Sequence, residues 1–202
     1  MLAILSLLMH LMYPSALAAP ALVPGDVLLQ PLQCWSCSLI EEEEVSIYSH
    51  VGIVISTTPT VRVAEALGKV QALPLETFIA RTEPGQSIRV LRLRSSKLYN
   101  ASGLAEAFES DFNGMGYDHQ FLWNNLDSSN QELLYCSELI AKLLERTWGV
   151  HIPLKRMHFD RNPELWRRFF KGPPPAGEWG LSPADLERSP LFKTIGDLPP
   201  QN

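Results

Sequence analysis

The 202-residue chain has no Lys/Arg cluster, no internal repeat, no linker-like stretch and no apolar run long enough for a confident membrane span. Each absence narrows the reading. Without a basic stripe to track phosphates, and with a net charge of -5 and a pI near 5.5, nucleic acid is not the expected partner. Without a repeat or a linker, and with 46% hydrophobic residues, the chain has ample apolar content for one core and reads as a single domain over 20–202. Cysteine is scarce as well, with three in all. If Cys34 and Cys37 pair, Cys136 is left over, and an unpaired thiol in an exported protein is worth examining for reactivity.

Export is the expected localisation, periplasmic or secreted. The opening MLAILSLLMHLMYPSALAAP has a short apolar run followed by the small-residue step Ala16-Leu17-Ala18, the pattern of a signal peptide over 1–19. No Lys or Arg precedes the apolar run, so only the amino terminus supplies positive charge there.

Helices and strands alternate without a βαβ rhythm, so the expected class is α+β, a small antiparallel sheet packed against helices. Strands are expected at Val27 to Gln30, Tyr48 to Ile55, Val61 to Ala66 and Ser87 to Arg94. Helical turns are expected at Leu75 to Arg81. A helix is expected from Ser102 to about Asn113, another from Asn162-Pro163-Glu164 to Lys171, and a shorter one from Ser182-Pro183-Ala184-Asp185, each opened by a capping residue. The run PLQCWSCSLIEEEE shows no clear period and reads as loop or short helix, with Glu41 to Glu44 as a solvated face. Trp123, Trp148 and Trp166 read as core, and His119, His151 and His158 as surface or loop residues.

Chemistry concentrates at LYCSELIAKLL. Cys136 heads a helical pattern, with Leu139, Ile140 and Leu143 at spacings of three, four and seven and Gly149 as the stop. A helix N-terminus favours thiolate over thiol. Taken alone, Cys136 reads as a small buried hydrophobe. The hairpin upstream changes that reading. A turn at Ser56 to Pro59 pairs Ile55 with Thr60, Gly52 with Val63 and His50 with Glu65, setting imidazole beside carboxylate on one sheet face. Cysteine, histidine and carboxylate are the nucleophile, base and orienter of acyl transfer. The bare pattern is weak, since structural His–Glu contacts are as common.

The segments GDVLLQ, YSHVGIVI, VAEA, YDHQFLW and LYCSELIAKLL together resemble the YiiX/YebB-type permuted papain-like hydrolases, relatives of the NlpC-type cell-wall peptidases and of the lecithin:retinol acyltransferase group. The resemblance runs from about Gly25 to Gly149, and SPADLERSP fits the family's closing segment. It implies a circularly permuted papain-like fold in which the histidine strand precedes the cysteine helix. It also implies Cys136 as nucleophile, His50 as base and Glu65 as third member, with no cofactor and no metal. Tyr135 or the Cys136 amide is a candidate oxyanion donor, and Gln30 and Asp118 are candidate site-wall residues. The expected substrate is an amide or ester, in cell-wall peptides or in lipids and lipopeptides. A lipid would require an apolar groove, a stem peptide a polar cleft. Two other classes stay open: a zinc-binding protein using Cys34, Cys37, Cys136 and His50, and an inactive binding module on the same fold. Oligomeric state has no signal in the sequence.

Overall fold

The computed structural model describes residues 19–95 and 101–200. The expected export signal, Ala19 apart, lies outside the described residues; Ser102, expected to cap its helix, lies inside it, since the helix includes Ala101. In chain order the elements are β1 (Val27–Gln30), α1 (Cys37–Glu44), β2 (His50–Ser56), β3 (Arg62–Ala66), β4 (Val70–Pro74), α2 (Leu75–Ile79), β5 (Ile88–Leu93) and α3 (Ala101–Ala107), which runs on into a π-turn at Phe108–Phe112. Then come β6 (Gly116–Tyr117), β7 (Leu133–Leu134), α4 (Cys136–Trp148), β8 (Lys155–Arg156), α5 (Pro163–Phe170), β9 (Trp179–Gly180), α6 (Pro183–Arg188) and β10 (Phe192–Leu198).

Six strands form one antiparallel sheet in the order β10-β5-β1-β2-β3-β4. Its central strands are apolar at consecutive positions because both faces are covered. Val27, Leu29, Val51, Ile53 and Ile55 pack on one side with Leu139, Ile140, Leu143 and Leu144 of α4. Leu28, Val54, Val63 and Val90 pack on the other with Phe78 of α2. Each such side chain taken from water contributes about 1.5–3 kcal/mol, so the four α4 residues anchor the cysteine helix firmly to the sheet. A third, largely aromatic cluster of Leu39, Phe121, Tyr135, Met157, Phe159 and Trp166 lies under the C-terminal segment.

The class is α+β, with the histidine strand ahead of the cysteine helix. Two strands of this sheet go beyond the sequence expectation, β4 and the edge strand β10, the latter interrupted by a register shift between Thr194 and Gly196, and so do the two-residue strands β6 to β9 outside it. The hairpin register also differs. Gly52, not His50, stands opposite Glu65, and Val54 opposite Val63, because the connection is longer than the expected four-residue turn and a register shift falls between Val54 and Ser56. The displacement is two residues, and side chains alternate with period two, so His50 and Glu65 stay on one face as diagonal neighbours.

The glutamates of α1 do not form a solvated face. Glu44 is buried and pairs with Lys155 and Arg188, and Glu43 accepts the Asp160 and Arg161 amides and the Trp166 indole N–H. Four consecutive glutamates lack apolar periodicity but span all sides of a helix, and three of them, Glu42 with the Asn162 side chain included, bond the C-terminal segment.

Candidate active site

Cys136 is the first residue of α4, where an α-helix has no internal acceptor for its leading N–H groups. The helix ends as the sequence indicates, with Gly149 at φ +65 and its N–H on the Glu145 carbonyl. Cys136 is the free cysteine among the described residues and is buried, 8% exposed.

His50 opens β2 and is paired in register with Gln30 of β1. Its Nε2 lies 2.9 Å from Glu65 Oε2, and its ring also hydrogen-bonds with the Cys136 side chain. With Nε2 taken, Nδ1 is the nitrogen left for the sulfur. The ring packs 5.8 Å from that of Phe78. Gly52 makes room for this arrangement: a Cβ there would come within 2.7 Å of Phe78 and 2.6 Å of Val63.

Glu65 is fully buried and held on three sides. Besides His50, Gln71 Nε2 donates to Oε1 at 3.1 Å, and the Arg81 guanidinium grips both oxygens. Burial works against ionisation of this carboxyl, but the hydrogen bonds and charges of His50 and Arg81 overcome it and hold the pKa at about 2. Burial also works against the charged form of His50, yet hydrogen bonds with Cys136 and Glu65 raise its pKa to about 9. The arrangement is a proton-retaining imidazole strung between a carboxylate and a thiol.

The remaining candidates fall elsewhere. Tyr135 lines the pocket beside Cys136, but its hydroxyl accepts the Leu181 N–H at 3.1 Å. Gln30 is buried outside the pocket lining; its Nε2 donates to the Phe78 carbonyl at 2.6 Å and to Thr82 Oγ1 at 2.9 Å, tying α2 to the sheet. Asp118 is likewise outside the lining. Its carboxylate accepts the Gln120 and Leu122 amides and the Asn125 side chain, which shapes the loop ahead of β7. Both are corrected from wall to scaffold: each polar group turns toward backbone that needs a partner.

Three further residues matter that the sequence reading passed over. Arg81 and Gln71 hold Glu65; Gln71 stands directly opposite it across the β3–β4 hairpin, a pairing that the turn at Gly68 could have signalled, whereas no spacing signals Arg81. Tyr117 pairs in parallel with Leu134, lines the pocket, and feels the Cys136 sulfur. Burial first, then that sulfur, push its phenol upward, so it keeps its proton. It sits one residue before Asp118, inside a segment the resemblance already marked.

Cys34 and Cys37 form a disulfide at the head of α1 that lines the same pocket. Their sulfurs are therefore not thiolate ligands, which removes the four-ligand zinc set. Beside Cys136 opens a cavity of about 310 Å³, walled largely by apolar and aromatic side chains.

Comparison with known proteins agrees with this architecture. The chain matches, over residues 21–196, the model of the permuted papain-like amidase enzymes of the YaeF/YiiX, C92 family. The uncharacterized protein YiiX of Escherichia coli (strain K12) is 26% identical over 128 residues, which is 63% of this chain and 60% of that protein. The chain thus matches under two thirds of that relative's length. The crystal structure of metalloprotein yiiX from Escherichia coli O157:H7 superposes with a TM-score of 0.75 at 25% identity, covering 88% of this chain and 98% of that one. With its histidine strand ahead of its cysteine helix, the chain belongs to the C92 family of permuted papain-like amidases.

Proposed function

We propose that the protein is an exported cysteine amidase or acyl hydrolase in which Cys136 is the nucleophile, His50 the proton carrier and Glu65 the residue that orients it. The observation that carries this reading is the position of His50, bound at Nε2 by a buried carboxylate and in contact with the thiol at the head of α4. A protonated imidazole beside a sulfur is the counter-ion of a thiolate, and a helix N-terminus adds to that preference.

The sulfur attacks the substrate carbonyl, forming a C–S bond and moving an electron pair onto oxygen. The Cys136 amide, unpaired within its helix, and the protonated Tyr117 hydroxyl are the donors near the place where that charge develops. Collapse breaks the bond to the leaving group, which takes the proton from His50. Neutral His50 then accepts a proton from water as the water oxygen attacks the thioester. The C–S bond breaks, a carboxylic acid departs, and the thiolate and imidazolium return. Glu65 stays ionised throughout and fixes the ring's tautomer.

The Cys34–Cys37 disulfide supports an oxidising compartment, in keeping with export. A metal-dependent reading takes its motive from the structural neighbour described as a metalloprotein. The residues of this chain do not fit it. Among the described residues no three His, Cys, Asp or Glu side chains gather as a metal-holding group. No step is assigned to a metal.

Incubation with a p-nitrophenyl ester, followed by intact-mass measurement, tests the proposal. A hydroxylamine-labile acyl adduct on Cys136, absent in Cys136→Ser, is expected. Turnover that survives Cys136→Ala would contradict it.

A further inference from the structure

We propose that the cavity beside Cys136 is an acyl-chain site, so that the substrate is an amide or ester whose acyl half is a medium-length aliphatic chain rather than a peptide. This deepens the hydrolase reading and rests on it.

The first observation is where the aromatic wall begins. Tyr135, next to the nucleophile, packs against Phe121 with ring centroids 5.7 Å apart, and Phe121 packs against Phe169 at 5.4 Å. Met157, Phe159 and Trp166 continue the wall, and Phe159 meets Trp166 edge-on at 5.1 Å. These rings brace one another, so the cavity is held open by mutual packing. At His50, which gives its proton to the leaving group, the lining is Ser49, the residue before it, and Leu32, whose N–H the Ser49 hydroxyl accepts. The aromatic wall therefore starts on the nucleophile's side, where the acyl half stays as the thioester.

The second observation is charge. No Lys or Arg lines the cavity. Its carboxylates, Glu43 and Glu44, are already occupied by backbone amides, the Trp166 indole, Lys155 and Arg188. A stem peptide brings carboxylate and ammonium groups that would lose their hydration here without partners. An aliphatic chain brings none.

The third is size. At about 30 Å³ for each water-sized group, 310 Å³ holds roughly ten such groups, which suits a chain of about ten carbons. Affinity should rise about fourfold for each methylene until the cavity is full.

The test is a series of alkyl chloromethyl ketones from two carbons to sixteen, scored by intact mass for the rate of Cys136 alkylation, with iodoacetamide as the chain-free reference. These probes place the chain on the acyl side and need no knowledge of the natural leaving group. The wild-type rate should climb with length to about ten carbons and then level. Ile40→Trp, which puts an indole into the cavity, should reduce the decanoyl-to-acetyl ratio by about tenfold or more; the ratio is internal to one protein and unaffected by how much of it folds. Rates flat in chain length with fast iodoacetamide labelling, or faster labelling by an alanyl-lysyl chloromethyl ketone than by the decanoyl one, would overturn the acyl site and leave the hydrolase reading standing. Slow iodoacetamide labelling that ignores His50→Ala would overturn the hydrolase reading itself. Faster labelling by the decanoyl probe in phosphatidylcholine vesicles than in solution would assign the chain to membrane lipid, and the reverse to a soluble amide; either supports the site.

Discussion

His50 is useful only because two opposed demands meet on it. A buried imidazole would ordinarily be neutral, and a neutral ring cannot protonate a leaving group. Glu65 and the sulfur reverse this and hold the ring charged to about pH 9. Two predictions belong to this scale. The first is that kcat/KM for an amide falls as pH rises through about 9, where His50 loses its proton, in a stopped-assay pH profile. The stability contribution has the same sign: raised from 6.5, it is complete below that value and lost as pH climbs through about 9. Glu65, lowered to about 2 from 4.5, contributes above pH 4.5 and ceases to as pH falls toward 2. The second concerns Arg81, which touches Glu65 but not the sulfur. Arg81→Met leaves a buried carboxylate with one charged partner fewer and should cost about 2–4 kcal/mol in urea unfolding at neutral pH. It should also bring the acid loss of stability to a higher pH.

At the scale of elements, the cysteine helix was the most legible part of the chain. Its start at Cys136, apolar stripe and glycine stop follow from spacing alone, and so does the capping box of α6, where Ser182 and Asp185 bond reciprocally. The hairpin was legible in kind but not in register, because a register shift and a longer turn cannot be read from an alternation that looks the same when displaced by two. His50 and Glu65 meet despite that error because parity, not register, decides the face. Strand β10 was not legible. Its FKTIGDL pattern lies in a Pro-rich tail and gains its ladder only by returning to β5, a long-range pairing with no local sign. Arg81 was hidden for the same reason, since it reaches Glu65 from beyond α2. Glu138, in the first turn of α4, gives this scale its prediction. It is buried beside Lys142 and the Asn124 amide, and burial raises its pKa to about 7. Ionising it therefore costs stability as pH rises from 4.5 through 7. Glu138→Gln should remove that slope, a difference of about 3 kcal/mol between the ends of the window in urea unfolding.

Over the whole molecule, the sheet and α4 set the reacting groups, and the C-terminal segment closes the cavity around them. That segment is joined to α1 by charge as much as by packing. Glu44 binds Lys155 of β8 and Arg188 of α6, and Lys155 also reaches Asp185. Glu44→Ala should therefore quicken amide hydrogen exchange over 155–188 more than in β1 or β2, with a loss of about 1–2 kcal/mol in stability given the partial exposure of Lys155 and Arg188. Uniform quickening would show that the segment is not held as a unit.

The central claim is that Cys136 and His50 act as one pair. Its most direct test is the rate of Cys136 alkylation by iodoacetamide at about pH 6, well under the ordinary thiol range, in wild type and in His50→Ala. The account predicts rapid labelling in wild type and a rate lower by about 100-fold or more in the variant. Equal rates in the two proteins, rising together as for an ordinary thiol, would contradict it.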